Sequence, residues 1–165
     1  DHPEPIDPLD VLDNILSIVN HEVTSHRISL SRESSGSAVT LVANPNVLGR
    51  LFTEVLTNAI EALKDVEDKQ RELDLVATIE GQYWVLEITD NAGGFDPAMA
   101  DRLYEPFYTT KDDVEHAGLG LTTCWNIVEQ LGGSISISRQ DDATKVRIAL
   151  QIEGSAEETR HAATN

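Results

Sequence analysis

The chain has 165 residues, enough for one domain with a substantial core. Its 29 acidic and 12 basic residues give a formal charge of −17, which repels phosphate backbones and anionic lipid and excludes nucleic acid or a membrane surface as the main partner. A single cysteine, Cys124, allows no internal disulfide and fits a reducing compartment, and no apolar run approaches the ~20 residues that span a bilayer.

The opening "DHPEPIDP" is proline-rich and aperiodic, so residues 1–7 are read as a linker. Leu12, Ile15, Leu16, Val19 and Val23 then recur at helical spacing, predicting an amphipathic helix over Pro8 to Ser25. "RISLSRES" and "AVTLVA" predict short strands around a Ser/Gly turn. Asn44 and Pro45 predict an N-cap and first helical residue, and Leu48, Phe52, Val55, Ala59 and Leu63 mark the buried stripe of a helix to about Lys64.

"ELDLVATIEG" and "YWVLEITD" alternate around a Gly-Gln turn and predict a hairpin. Asp96-Pro97 predicts a short helix. The polar stretch "EPFYTTKDDVEHA" is long for a loop and is a candidate lid. Leu121, Cys124, Val128 and Leu131 predict a third main helix, with Cys124 a buried thiol and Gly132-Gly133 the stop. "SISISR" and "KVRIALQI" predict two more strands, and residues 154–165 a disordered tail. The fold class is therefore α/β: a two-layer sandwich with a mixed, mostly antiparallel sheet of about five strands and three main helices on one face, spanning residues 8–153.

Three stretches point to chemistry. Glu54, Asn58 and Glu61 share one helical face, which suits either a solvated surface or a cation site; Mg²⁺ commonly takes one or two protein oxygens plus phosphates and water. "DNAGGFD" ends a strand on Asp90 and continues into glycines. That pattern suits either a plain turn or a close approach to a planar ligand, with a buried carboxylate accepting from an exocyclic amine. Adenine offers that amine where guanine has a carbonyl. "GLGL" opens a helix, so Gly118 to Leu121 are either a Gly-rich loop or a set of free N–H groups facing phosphate.

In order, "NAIEAL", "DNAGGFD", "YEPFYTTK" and "GLGLTTCWNIVEQLGG" resemble the ATP-binding catalytic domain of sensor histidine kinases. That domain falls in the superfamily of DNA gyrase, the Hsp90 chaperones and the mismatch-repair ATPases, and the resemblance covers Pro8 to Ile152. It implies the Bergerat-type ATP-binding fold and the cofactors ATP and Mg²⁺. By the same resemblance Asn58 binds Mg²⁺, Glu54 lies near the γ-phosphate, and Asp90 and Gly94 form the adenine-binding glycine box, supported by Thr144. Tyr104, Phe107, Thr110 and Lys111 match the phenylalanine box and the start of the lid, with Lys111 adding charge when the lid closes. Gly118, Leu119, Gly120 and Leu121 match the second glycine box. Ala92 and His116 depart from the family pattern, standing where glycine is common.

The resemblance further implies phosphoryl transfer from ATP to a histidine on an upstream dimerisation domain, a response regulator as partner, a cytoplasmic location, and a monomeric domain within a homodimeric parent. His21 lacks the following proline and second long helix of a phosphoacceptor hairpin, so it is read as an exposed residue of the first helix. Two other classes are a self-contained ATPase or anti-sigma-type serine kinase, and a nucleotide-binding scaffold without turnover. Glu54 together with Asn58 speaks against the scaffold.

Overall fold

The computed structural model describes residues 2–93, 121–140 and 143–153. Helix α1 spans Pro8–Ser25. It begins where Asp7 accepts a hydrogen bond from the Leu9 N–H at 2.9 Å, with Pro8 in the first turn. Leu12, Val19 and Val23 are buried, and His21 is exposed. Helix α2 spans Pro45–Leu63 and repeats the device, the Asn44 side chain accepting from the Asn46 N–H at 2.9 Å. Its buried face is wider than the predicted stripe, adding Leu51, Leu56 and Ile60, because α2 lies between α1, the sheet and the third helix. That helix, α3, spans Thr122–Gln130. Gly132 closes it at φ 69°, and a Cβ at Gly133 would run into the Ala149 carbonyl oxygen, so both glycines of the stop are needed.

Among the described residues seven strands follow in chain order: β1 Glu4–Ile6, β2 Ile28–Ser34, β3 Leu41–Ala43, β4 Arg71–Glu80, β5 Tyr83–Asp90, β6 Ser134–Gln140 and β7 Ala143–Gln151. Five form one sheet in the order β2-β4-β5-β7-β6, with β2 parallel to β4 and the other pairs antiparallel. The β4–β5 hairpin stands as expected, and the two last strands also pair antiparallel with each other. One expectation changes. Residues 4–6 of the supposed linker are a strand, because β1 pairs antiparallel with β3. The two strands flanking the Ser/Gly turn form as expected, and each finds its partner elsewhere: β3 pairs with β1 and β2 with β4.

Alternation sorts the sheet into two faces. Leu73, Leu75 and Ala77 of β4, Trp84, Leu86 and Ile88 of β5, Val146, Ile148 and Leu150 of β7, and Ile135 and Ile137 of β6 are buried beneath the helices. Phe52 of α2 meets Trp84 there with ring centroids 5.9 Å apart. The other face is polar. Lys145 pairs with Glu87 at 2.9 Å and Arg147 with Glu80, and such long side chains cover Val85, which is 1% exposed.

One side chain fixes the helices against the sheet's end. The Arg71 guanidinium donates to the carbonyls of His26 (2.6 Å), Lys64 (2.9 Å) and Val66 (2.9 Å). His26 and Lys64 are the C-cap residues of α1 and α2, and neither helix has a basic residue in its last turn. Arg71 thus supplies from β4 the positive charge that both helix C-termini favour. It also brings the end of α2 to the start of β4, two residues before Leu73, the cross-strand partner of Asp90.

Candidate functional site

The buried rows of the sheet stay apolar until one end, where the last cross-strand row is Leu73, Asp90, Thr144 and Arg139. Asp90 closes β5 and is 7% exposed; Thr144, opposite it on β7, is 4% exposed. A carboxylate and a hydroxyl here interrupt an otherwise hydrophobic surface under the helices. Asp90 Oδ1 accepts the Ala92 N–H at 3.0 Å, a turn in which the side chain bonds the backbone two residues on. That is the one donor Asp90 receives among the described residues. Burial accordingly pushes its carboxyl up from 3.8 to about 6, and the Ala92 N–H opposes the rise. A buried carboxylate whose second oxygen has no donor among the described residues, across from a buried hydroxyl, can receive a hydrogen-bond donor.

Beyond Asp90 the chain leaves the sheet. Gly93 adopts φ 64°, the left-handed region that favours glycine. Asn91, which the sequence did not single out, holds the departure point: its carboxamide bonds the backbone of Gln70 and Glu72 at 2.8 and 2.9 Å. Its only signal is an amide next to a strand-end acid; its partners, some twenty residues away, are set by the hairpin register.

Helix α2 contacts β5 through Phe52 and Trp84, and its far end is tied to β4 near Leu73. It therefore runs along β5 toward the Asp90 end, carrying Glu54 and then Asn58, both half-buried. The third member of the predicted face separates from them. Glu61 is exposed, and its carboxylate accepts from Lys64 at 2.8 Å, while Lys64 also pairs with Glu22 of α1 at 3.1 Å. Glu61 is thus the solvated surface residue, with its charge already partnered.

Glu54 faces α3. Its negative charge, after burial, helps push the Cys124 thiol up to about 12, which keeps this fully buried thiol protonated and inert. Arg50 lies one turn before Glu54 at 4.0 Å. Leu121 occupies the N-cap of α3 and, being apolar, gives the first turn no side-chain hydrogen bond, unlike Asp7 and Asn44 on α1 and α2. The leading N–H groups of α3 are left to other partners.

Gly94, Tyr104, Phe107, Thr110, Lys111, Gly118, Leu119 and Gly120 lie outside the described residues, as do the candidate lid, the Asp96-Pro97 helix and residues 154–165. The described cavity of about 230 Å³ is not this site: it is lined by Glu80, Tyr83, Val85 and Arg147, toward the start of β5 rather than its Asp90 end. The described residues contain no cluster of three or more His, Cys, Asp or Glu side chains able to cage a metal ion. Asn58 and Glu54 offer hard oxygens, a donor set that fits Mg²⁺ held mainly by phosphates and water. Among the described residues no helix is long and apolar enough to cross a membrane.

Residues 43–154 match the family model of histidine kinase-, DNA gyrase B- and HSP90-like ATPases. The chain is 26% identical over 156 residues to the two-component sensor PprA of Pseudomonas aeruginosa, covering 93% of this chain and 17% of that protein. It is 27% identical over 138 residues to the sensor histidine kinase ZraS of Escherichia coli, covering 84% of this chain and 28% of ZraS. It therefore spans well under a third of the length of either relative. The solved catalytic domain of histidine kinase ThkA superposes with TM-score 0.71 at 14% identity, over 92% of this chain and 97% of that one. ThkA has also been solved in complex with the response regulator protein TrrA; that chain superposes with TM-score 0.70 at 15% identity, over 90% of this chain and 41% of that one.

Proposed function

This chain belongs to the histidine kinase-, DNA gyrase B- and HSP90-like ATPase family, and from that membership we propose that it binds MgATP and transfers the γ-phosphoryl group to a histidine on another domain of the same kinase. The observation that carries the reading is the buried Asp90 carboxylate beside Thr144, an acceptor suited to the exocyclic amine of adenine. The sensor kinases among its relatives favour histidine as the acceptor.

Phosphoryl transfer is mostly positioning and charge neutralisation. Asp90 and Thr144 hold the base. The N–H groups at the start of α3, with Gly118 to Leu121, hold the phosphates, and Lys111 adds a cation. Asn58 would hold Mg²⁺, which would supply charge neutralisation at the phosphate oxygens. Glu54, half-buried on the face of α2 toward α3, orients the acceptor imidazole and takes its proton as the nitrogen attacks the γ-phosphorus and ADP leaves. The acceptor lies on a dimerisation domain of the parent, a homodimer that works in the cytoplasm; the complex of ThkA with TrrA supports a response regulator as its partner. His21 stands on α1, whose apolar stripe is committed to this domain's own core, so it is not placed to receive the phosphate.

The chain alone, incubated with γ-labelled ATP, should acquire no acid-labile label, because in-line transfer needs the nucleophile within about 3–3.5 Å of the reacting atom. The parent's histidine hairpin added in trans should become labelled. Label on His21, or phosphate released to water with none on the hairpin, would contradict this reading.

The metal assignment has its own test. Asn58→Ala should remove most of the Mg²⁺ dependence of ATP affinity while the circular dichroism spectrum stays that of the parent chain. Unchanged metal dependence in the same titration would return Asn58 to the solvated surface of α2.

A further inference from the structure

We infer that Asn91 is a positioning residue for nucleotide recognition: its carboxamide anchors the turn that aims the Asp90 carboxylate. This rests on the assignment of Asp90 to adenine and goes beyond it.

The geometry is that of a ladder continued by a side chain. The last regular pair of β4 and β5 is Leu73 with Asp90. One residue further, the Asn91 N–H still donates to the Glu72 carbonyl at 3.3 Å. The return bond from the Glu72 N–H goes not to a backbone carbonyl but to Asn91 Oδ1, at 2.9 Å. Asn91 Nδ2 then donates to the Gln70 carbonyl at 2.8 Å. The substitution has a reason. After Asp90 the backbone turns out of the sheet toward Gly93 at φ 64°, and a chain that turns there cannot keep its carbonyl in the ladder. The side chain keeps the register while the main chain leaves.

Asp90 depends on that register. Its Oδ1 is fixed by the Ala92 N–H at 3.0 Å, and Ala92 is held only as firmly as the residue between them. With Asn91 clamped to β4, one carboxylate oxygen is committed to the turn and the other is presented beside Thr144. Without the clamp the turn can open, the carboxylate can rotate and water can reach it. The same amide therefore bears on both affinity and base selectivity, although it touches neither the ligand nor Asp90's carboxylate.

The test compares Asn91→Ala, Asp90→Asn and Leu12→Val in this chain by calorimetry with ATP and GTP across pH. Leu12 is buried near the start of α1, at the opposite end of that helix from the His26 carbonyl that Arg71 holds, and its replacement serves as a loss of stability without a site effect. Asn91→Ala should lose at least about tenfold in ATP affinity, as expected for one charge-assisted hydrogen bond, and lose part of its preference over GTP. The pH midpoint below which ATP affinity falls should move from about 6 toward the ordinary 3.8 as water reaches the carboxylate. Leu12→Val should keep the affinity, preference and midpoint of the parent chain. Parental affinity and midpoint in Asn91→Ala, whatever its melting temperature, would make the clamp purely structural and overturn the inference. ATP binding unimpaired in Asp90→Asn would instead overturn the adenine assignment on which it rests, a different and recognisable failure.

Discussion

Glu54→Gln should slow phosphoryl transfer to the histidine hairpin by about 10²–10⁴-fold, the usual worth of general-base help, while ATP affinity stays close to that of the parent chain. The asymmetry follows from where Glu54 stands. It lies on α2, facing the first turn of α3, while Asp90 and Thr144, the groups proposed to hold the base, sit on β5 and β7. Its side chain is 42% exposed, so an incoming imidazole can reach it. The Arg50 contact, at 4.0 Å and with Arg50 itself 65% exposed, is too open to lock the carboxylate or to contribute much to stability. Glutamine keeps the length, the helix preference and the neutral packing of the stem, and removes only the ability to take a proton. Rapid-quench measurement of hairpin labelling at saturating ATP isolates that loss. Transfer at the parental rate would remove Glu54 from the mechanism.

Asp90→Asn should move binding and stability in opposite directions. The charged acceptor for the adenine amine is lost, so ATP affinity should fall by about tenfold to a hundredfold, the range for a hydrogen bond to a charged group. Yet in the ligand-free fold the ionised carboxylate is a burden. Its pKa is raised from 3.8 to about 6 because burial disfavours the charge. A carboxyl whose folded pKa is raised binds protons more readily folded than unfolded. Its stabilising contribution is complete below 3.8, declines as pH rises through about 6, and is absent at neutral pH. The neutral amide escapes that cost, so the variant should be more stable than the parent chain at pH 7, by up to about 3 kcal/mol from the size of the shift. The gain is an upper value, since the new NH₂ group needs a partner of its own. Thermal unfolding at pH 7 and pH 4.5 should show the advantage shrinking at the lower pH. An Asp90→Asn protein less stable than the parent at both pH values would mean that the carboxylate is not strained by its burial. In the parent chain the same titration should make ATP affinity decline below about pH 6.

What could be read in advance, and what could not, divides along the range of the forces involved. The bounds of α1 and α2 were legible because Asp7-Pro8 and Asn44-Pro45 set them locally, through caps and a fixed φ. The hairpin β4–β5 was legible because alternation and its Gly81 turn are neighbours in sequence. β1 was not, since a three-residue strand containing Pro5 has no period to detect and owes its existence to β3, some forty residues away. The parallel pairing of β2 with β4 is non-local in the same way. In the site, Asp90 was visible as an acid before glycines, whereas spacing alone could not separate Glu54 and Asn58 from Glu61. Lys64 and Glu22 make that separation, and Glu22 lies on another helix. Thr144 was reached through the family resemblance; its place opposite Asp90 is a matter of register between strands far apart in the chain. Arg71 carried no sequence signal and Asn91 only that of an amide beside a strand-end acid, because each acts by joining backbone carbonyls or amides from elements brought together only by folding.

The central claim is that the end of β5 recognises adenine through Asp90. Parallel calorimetric titrations of this chain with MgATP and MgGTP at pH 7.5, a value above the pKa of about 6 at which Asp90 titrates, test it most directly. ATP should bind at least about tenfold more tightly, because the guanine carbonyl presents an acceptor to an acceptor and leaves a buried carboxylate oxygen unpaired. Equal affinities for the two nucleotides, or no heat from ATP at concentrations where the fold is intact, would contradict it.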